Sequence, residues 1–151
     1  ILRATWQAVA RMYNEEAAKY NATMATGFAL LSIDRENGSP STTLGPKMGM
    51  EATSLTRTLK SMEERGLITR KKNPTDGRGV IIQLTKEGKE KRELSKNTVL
   101  NFNETVKKHV SEEKLNNFIE VAEIINELIQ NKNIFNQAES NNDDIAKNQN
   151  L

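Results

Sequence analysis

The feature that most constrains this chain is a short apolar stripe at helical spacing near its middle. Ala52, Leu55, Leu59 and Met62 recur at steps of three and four residues, which predicts a helix over residues 51–65. The opposite face of this helix is polar and consists of Thr53, Arg57, Lys60 and Glu64, with Ser54 and Ser61 on its flank. Such a helix buries its stripe against a domain. Its outer face is either an ordinary solvated surface or a surface that contacts bases in a nucleic-acid groove.

The residues after this helix favour the second interpretation, in which its outer face binds a nucleic acid. Gly66 stands where a left-handed residue commonly ends a helix. Residues 67–70 and 80–84 are β-branched runs of strand length, and the turn signals Asn-Pro and Asp-Gly lie between them. The cations of this loop and its base are Arg70, Lys71, Lys72 and Arg78. A helix with a polar outer face, followed by a basic two-stranded wing, is typical of a winged helix-turn-helix that holds duplex DNA.

The tip of the hairpin carries its own expectation. An arginine at such a tip can enter a minor groove, whose narrow form concentrates negative potential. Asp76 lies two residues before Arg78, so its carboxylate can accept from the guanidinium and hold it in place. We therefore expect Arg78 in a minor groove, positioned by Asp76, with Lys71 and Lys72 on phosphates.

Together these motifs resemble those of the MarR family of bacterial regulators. Residues 76–85, with Gly88 after them, are similar to the D-x-R…LT..G signature of that family. Residues 55–68 are similar to its recognition helix and the strand that follows. The resemblance covers residues 23–94 at motif level, whereas the flanking helices match only in placement and length. It implies a winged-helix regulator whose first and last helices form a dimer.

One departure from the family pattern lies in the helix before the recognition helix. The pair Gly45-Pro46 stands where the family has good helix formers. Proline is tolerated in the first turn of a helix, because the N–H groups there have no intrahelical partner. We therefore expect this helix to be short and to start near Thr42 or Thr43.

The charge is unevenly distributed along the chain. Residues 38–92 carry twelve Lys and Arg against six Asp and Glu, whereas residues 93–151 carry six against ten. Residues 1–37 carry four of each sign. The positive excess therefore falls on the segment predicted to bind DNA, as expected of a phosphate-binding module joined to a neutral or acidic scaffold.

Composition excludes several classes of site. There is no Cys, which rules out disulfides, thiolate zinc sites and a cysteine-based peroxide sensor. No apolar run reaches the length of a membrane span, so we expect a soluble, cytoplasmic protein. The single histidine, His109, is interpreted as a capping or surface residue. Neighbouring acidic residues point about 100° apart on a helix and cannot form a facing acid–base pair. We expect no enzyme activity, no metal and no cofactor.

The N-terminal region is predicted to form two helices. The first covers residues 1–20, and the second runs from Met24 to about Asp34 with Thr23 as its N-cap. The second is apolar nearly all round and should be buried, and residues 37–41 are predicted to be a turn and linker. A cluster of aromatic and thioether side chains marks this region: Trp6, Met12, Tyr13, Tyr20, Met24 and Phe28. These side chains fit either ordinary core or, as the resemblance implies, a pocket for a small aromatic or phenolic ligand.

The C-terminal region predicts a long helix capped by Thr85 and ending near His109, then a last helix opened by Ser111. The last helix has an apolar stripe that we interpret as a homodimer interface, although it could also pack on its own monomer. Its residues are Leu115, Phe118, Ile119, Ala122, Ile125, Leu128 and Ile129. From Asn131 onward polar residues dominate without periodicity, which predicts a disordered tail.

The predicted fold is mainly α with a small β-hairpin wing (α+β), a winged helix-turn-helix flanked by dimerisation helices. Its regions are residues 1–37 for dimerisation and the pocket, 38–92 for DNA binding, 93–132 for dimerisation and 133–151 for the tail. The predicted function is a homodimeric repressor of transcription on a pseudo-palindromic operator, released by a small ligand. The alternatives are a nonspecific architectural DNA binder and a winged-helix protein-interaction module. The expected DNA contacts are Lys47, Thr53, Ser54, Thr56, Arg57, Lys60, Lys71, Lys72, Asp76 and Arg78.

Overall fold

The computed structural model describes residues 2–75, 77 and 79–131. Within these residues the chain divides into two compact units, with the boundary between Phe102 and Asn103. The elements of the described part, in order, are α1 Leu2–Ala18, α2 Met24–Ser32, β1 Ser39–Pro40, α3 Ser41–Met48, α4 Ala52–Glu64, β2 Ile68–Lys72, β3 Val80–Leu84, α5 Lys86–His109 and α6 Glu112–Gln130. The predicted class, mainly α with a small sheet in a winged helix, is confirmed.

Helix α2 begins where the sequence predicted. Thr23 is its N-cap, and the hydroxyl oxygen of Thr23 accepts from the Thr26 amide at 3.2 Å. Asn14 of α1 supports the same helix end, since its side-chain oxygen accepts from the Met24 amide at 2.9 Å. The bonds from Thr23 and Asn14 satisfy amide groups that have no intrahelical partner at a helix start. The helix ends at Ser32, two residues earlier than predicted.

The sheet has three strands rather than the two of the predicted hairpin, in the antiparallel order β1-β3-β2. Residues 37–41 were predicted to be turn and linker, but Ser39 and Pro40 pair with Ile82 and Ile81. Proline fits this position because it forms an edge strand, where a missing N–H leaves no ladder bond unmade. Gly38 before it has φ +73°, and a Cβ there would lie 2.5 Å from the Ile82 carbonyl oxygen.

Helix α3 corrects a second expectation. It begins at Ser41, before the predicted Thr42 or Thr43, because the chain turns into it directly from β1. Pro46 is therefore the sixth residue and lies beyond the first turn, where its missing N–H removes one intrahelical bond. Gly49 ends the helix in the left-handed conformation, so the helix has only eight residues.

The core of the first unit forms where α2, α3 and α4 pack with the sheet. In α4 the predicted stripe is buried at Leu55, Leu59 and Met62, whereas Ala52 is exposed because it is the first residue of the helix. The other buried apolar residues are Ala29, Leu30, Ile33, Leu44, Leu67, Ile68 and Ile82. Helix α4 is thus fixed on one side only, and its polar side remains open.

A tight junction joins α4, β2 and α5. Gly66 has φ +69° and ends α4, and the Thr85 hydroxyl donates to its carbonyl at 2.6 Å. The same hydroxyl oxygen accepts from the Gly88 amide at 3.0 Å, so Thr85 caps α5 as predicted. A Cβ at Gly88 would collide with the carbonyl oxygen of Leu67. Position 88 therefore admits only glycine without a shift of the backbone.

Helix α6 begins at the predicted cap, where the Ser111 hydroxyl accepts from the Lys114 amide. None of its residues is buried. Leu115, Ala122 and Ile125 are partly exposed, and the most exposed apolar side chains are Phe118 at 60%, Ile129, Val121, Ile119, Ile124 and Leu128. The predicted tail, residues 133–151, lies outside the described residues.

Candidate nucleic-acid interface

The outer face of α4 presents unpaired polar groups. Thr53, Ser54 and Arg57 are all exposed, while Leu55 and Leu59 hold the helix from beneath. Within the described residues, no carboxylate lies within ion-pair distance of the Arg57 guanidinium. A guanidinium offers five N–H donors in a planar fork, which matches the two acceptors on the major-groove edge of guanine. Arg57 is thus available for a bidentate contact with an external acceptor.

The hydroxyl groups of α4 are not equivalent. Thr56 was predicted to lie near phosphates, but its hydroxyl donates to the Ala52 carbonyl at 2.8 Å. Phosphate oxygens are acceptors and need a donor, so in this rotamer the Thr56 proton is already engaged. Thr58 is bonded in the same way to Ser54. The side chains of Thr53, Ser54 and Ser61 carry no such bond among those described, so these three hydroxyls remain open.

Two predicted phosphate contacts are already in weak interactions. The Lys60 ammonium lies 3.9 Å from a carboxylate oxygen of Glu64, and both side chains are largely exposed. Such surface pairs contribute little and exchange readily with other partners. The Lys47 ammonium donates to the Ser32 carbonyl at 2.9 Å, at the C-terminus of α2. Because an ammonium has three donors, Lys47 joins α3 to α2 and retains donors for a phosphate.

The wing extends the basic surface through β2. Lys71 and Lys72 are exposed on consecutive residues, so their side chains leave opposite faces of the strand. Neither is in an ion pair with a described acidic residue. Arg70 differs, since its Nε lies 2.8 Å from a carboxylate oxygen of Glu63 on α4. The sequence pattern places Arg70 among the cations at the base of the loop, but it does not predict this link between the wing and α4.

The turn of the wing is built around Asn73. Its amide donates to the Gly79 carbonyl at 2.9 Å and so closes the loop. Its side-chain oxygen accepts from both the amide and the hydroxyl of Thr75. These bonds fit the predicted turn. Asp76 and Arg78 lie outside the described residues, and their coupling remains a prediction.

A cavity of about 70 Å³ opens between α1, α2 and α5 within the first unit. Of the six predicted pocket residues, Tyr13, Tyr20, Met24 and Phe28 line it. Trp6 and Met12 do not line it, and Trp6 is 56% exposed. Sequence spacing alone placed all six near the joint of two helices, but only those that follow the inner face of α1 and the start of α2 reach the cavity.

The cavity wall combines aromatic packing with polar groups. The Tyr13 ring meets Phe28 edge-to-face at 6.1 Å and Phe102 at 5.7 Å between centroids. Burial raises the pKa of the Tyr13 phenol above its ordinary value. Two cations that sequence reasoning missed, Arg65 and Lys91, also line the cavity. Nothing in the local pattern around either residue marks it as a pocket residue, because the cavity joins segments far apart in the chain.

Other classes of site find little support in the described part of the chain. There, no three His, Cys, Asp or Glu side chains converge on a point that could hold a metal ion. The His109 ring lies 2.8 Å from the Thr105 carbonyl, one turn earlier in α5, consistent with its predicted surface role. No helix among the described residues is both long and apolar enough to cross a membrane.

Comparison with known proteins finds relatives among bacterial transcriptional regulators. The model of the MarR family matches residues 22–80, which run from the start of α2 to the start of β3. The organic hydroperoxide resistance transcriptional regulator of Bacillus subtilis is 33% identical over 88 residues. That match covers 58% of this chain and 60% of the relative, so the chain spans about three fifths of the relative's length.

Two further comparisons extend over more of the chain. The HTH-type transcriptional regulator SarZ of Staphylococcus saprophyticus is 28% identical over 116 residues, covering 74% of this chain and 80% of that protein. The crystal structure of the PcaV transcriptional regulator of Streptomyces coelicolor, in complex with its natural ligand, has a TM-score of 0.72 at 19% identity. It covers 83% of this chain and 89% of PcaV. At that identity the structural likeness supports the fold alone.

Proposed function

Because residues 22–80 match the model of the MarR family and a transcriptional regulator is 33% identical over 88 residues, we propose that this chain is a cytoplasmic, homodimeric transcription factor that represses genes from specific DNA sites. The observation that carries the proposal is the open polar face of α4 beside a basic wing. Arg57 is exposed without an acidic partner among the described residues, and Lys71 and Lys72 are exposed on β2. Each of these groups can be satisfied by an acidic, hydrogen-bond-accepting partner, which is the chemistry of duplex DNA.

In this proposal α4 and the wing contact different grooves of the DNA. Helix α4 enters the major groove, where Thr53, Ser54 and Arg57 meet base edges. Phosphates are contacted by the four lysines around that helix: Lys47, Lys60, Lys71 and Lys72. The wing tip enters the neighbouring minor groove with Arg78, positioned by Asp76.

The second copy of the chain is argued from α6. A run of large apolar side chains on this helix is exposed, including Phe118 at 60% and Ile129 at 58%. A contiguous apolar face of this kind marks an interaction site on a soluble protein. A second copy covers it by a two-fold, self-complementary contact, the commonest closed arrangement. Two-fold symmetry then places two half-sites about 10 base pairs apart on a pseudo-palindromic operator.

We propose the cavity as the site of a small aromatic or phenolic effector that releases the protein from DNA. Its walls are apolar and aromatic with a few polar groups, as is usual for ligand sites. PcaV, which shares the fold, was crystallised with its natural ligand. An effector can release the protein only by its differential affinity for the free and DNA-bound conformations. None of the residues of this sequence is a Cys, so none of them can act as a thiol sensor.

The experiment that tests this function is selection of tightly bound sites from random duplex DNA, at two salt concentrations. We expect an inverted repeat bound at least about a thousandfold more tightly than bulk DNA. Binding with strong salt dependence but without an enriched sequence would support an architectural protein instead. Failure to bind any duplex at low salt would leave only a role in protein interaction.

A further inference from the structure

Arg65 joins the end of the recognition helix to a distant part of the first unit. It is the C-cap of α4, and its backbone amide donates to the Ser61 carbonyl at 3.1 Å. Its guanidinium Nη2 donates to the backbone carbonyl of Tyr20 at 3.3 Å, across 45 positions of sequence. Tyr20 lies in the turn between α1 and α2, whose next residue, Asn21, has φ +53°. The bond therefore connects the last turn of α4 to that turn.

Arg65 also lines the cavity. Arg65, Tyr20 and Lys91 all contribute to its wall, and the Lys91 ammonium lies 5.5 Å from the centroid of the Tyr20 ring. The acidic side chain in the lining, Glu16, is paired with Lys19 at 2.6 Å. The charge that remains at the wall is positive, so the cavity suits a ligand with an apolar body and one negative group.

We propose that Arg65 couples the cavity to the recognition helix: it holds the end of α4 to the Tyr20 carbonyl, and a carboxylate bound in the cavity draws it away. The inference rests on the function proposed above, since it explains how occupancy of that cavity changes DNA binding. Arg65 is a positioning residue in this scheme. It contacts the effector and acts on DNA through the orientation of α4.

The competition favours the carboxylate for a physical reason. The bond to Tyr20 joins a charged donor to a neutral carbonyl, through one nitrogen and at the long distance of 3.3 Å. A carboxylate offers two charged acceptors to the planar fork, and a bidentate bond between two charged groups is stronger than a single bond to a neutral carbonyl. Lys91 adds a second attraction for the same anion. A neutral ligand of the same shape has neither advantage and should leave the Tyr20 bond intact.

The transmission has a short path. Arg65 is followed by Gly66, whose left-handed conformation ends the helix, and then by Leu67, which is buried in the core. The core holds the inner side of the last turn of α4, the Glu63–Arg70 pair joins it to the wing, and the Arg65 side chain joins it to the turn between α1 and α2. Loss of the bond to that turn lets the polar face of α4 tilt, which shifts base-reading side chains such as Arg57 from their register in the groove.

The test compares benzoate with its neutral isostere benzamide on the full chain. Ligand affinity is measured by calorimetry without DNA, and affinity for the selected operator is measured with and without each compound. For the natural sequence we expect benzoate to lower DNA affinity at least about fivefold, and benzamide to have no effect. Arg65→Met should bind DNA more weakly without ligand, and benzoate should no longer change its DNA affinity.

Two further variants separate coupling from general damage. Arg65→Lys keeps a cation that can meet a carboxylate and should recover part of the benzoate response, which a purely structural role would not predict. Arg35→Met removes an exposed arginine from the loop after α2, outside α4, the wing and the cavity, and should behave like the natural sequence.

Several outcomes would overturn the inference. They are a normal benzoate response in Arg65→Met, an equal response to benzamide, and no binding of benzoate by the natural sequence. Failure of the proposed function has a different signature, namely a natural sequence that binds no DNA at any ligand concentration. Because ligand binding is measured without DNA, the two failures are distinguishable.

Discussion

The winged helix of this chain buries apolar side chains in a core, whereas the terminal helices α1 and α6 bury none. Every buried apolar side chain of the described residues lies between Ala29 and Ile82, where α2, α3, α4 and the sheet close a core. Helices α1 and α6 are also amphipathic, yet neither contains a buried residue. The chain thus completes one core within itself, while apolar surface on both terminal helices remains uncovered.

The two open surfaces differ in chemistry, and this difference indicates different partners. Helix α6 exposes side chains such as Phe118 and Ile129, whose burial is driven by the removal of apolar area from water. Helix α4 exposes Thr53, Ser54 and Arg57, which gain from hydrogen-bond acceptors and negative charge. A second copy of the chain suits the first surface and a nucleic acid suits the second.

The largest effect is expected where the open apolar surface is disrupted. Phe118→Asp places a charge on each side of the proposed two-fold interface, so every change would act twice per dimer. Loss of two buried Phe side chains at about 1.5–3 kcal/mol each should raise the dimer dissociation constant at least a hundredfold. Analytical ultracentrifugation over a concentration series measures this constant. Glu120→Lys, on the same helix but polar, is the control, and an unchanged dimer in Phe118→Asp would exclude α6 as the interface.

The next largest effect concerns the packed junction of α4, β2 and α5. Gly88→Ala introduces a Cβ that collides with the Leu67 carbonyl oxygen, a backbone atom that cannot rotate away. We expect the free energy of unfolding to fall by about 3 kcal/mol, since overpacking at a rigid contact has costs of this size. Urea unfolding followed by circular dichroism measures it. Gly27→Ala is the matched control. Its Cβ would meet the Ser95 hydroxyl at 3.4 Å, an ordinary contact, and alanine favours the helix. Equal effects of the two changes would contradict this reading of the junction.

The features that could be predicted from the sequence are those that a local pattern of residues determines. The stripe at Leu55, Leu59 and Met62, the cap at Thr23 and the wing strands after Gly66 all follow from spacing or from a single residue type, and the structure has each of them. These features need no knowledge of the rest of the chain, because the helical period and the capping bonds act within a few residues.

What the sequence did not predict depends on contacts between distant segments. Strand β1 has two residues, one of them Pro40, and exists only because β3 pairs with it. The bond from Arg65 to Tyr20 spans 45 positions, and the pair Arg70–Glu63 joins a strand to the preceding helix. Neither pairing has a local signature. Both depend on where the elements come to lie, which propensity and periodicity do not determine.

A third prediction concerns the polar surface of α4. Arg57→Ala should cost about 1–3 kcal/mol of binding to the selected operator and relax the preference at one base pair. Arg57→Lys keeps the charge but loses the planar fork, so we expect it to restore much of the affinity and little of the base preference. Repeating the site selection with both variants measures the two quantities separately. A uniform loss across all sequences would reassign Arg57 to phosphate.

A fourth, smaller effect belongs to the wing. Lys72→Ala should weaken binding to all sequences alike, and should lower by about one the slope of log affinity against log salt concentration. Titration of operator and random duplex at four salt concentrations gives this slope. Lys96→Ala, an exposed lysine on α5 outside the wing, provides the matched control. A change in base preference without a change in slope would place Lys72 in the groove rather than on the backbone.

The smallest effect concerns the turn after α2, where the Asp34 carboxylate accepts hydrogen bonds from backbone amides. Bonds from the backbone amides of Asn37 and Glu36 lower the pKa of the Asp34 carboxyl, and the charge of Arg92 acts in the same direction. A lowered folded-state pKa means that the carboxylate contributes stability above the ordinary Asp pKa of about 4, and that this contribution is lost as pH falls through the lower folded value. Asp34→Asn keeps an oxygen acceptor for the two amides but cannot titrate. Urea midpoints measured from pH 7 to pH 2 should therefore fall less steeply for Asp34→Asn at the acid end. Parallel curves for the two proteins would mean that this turn depends on its two neutral hydrogen bonds and owes nothing to the carboxylate charge.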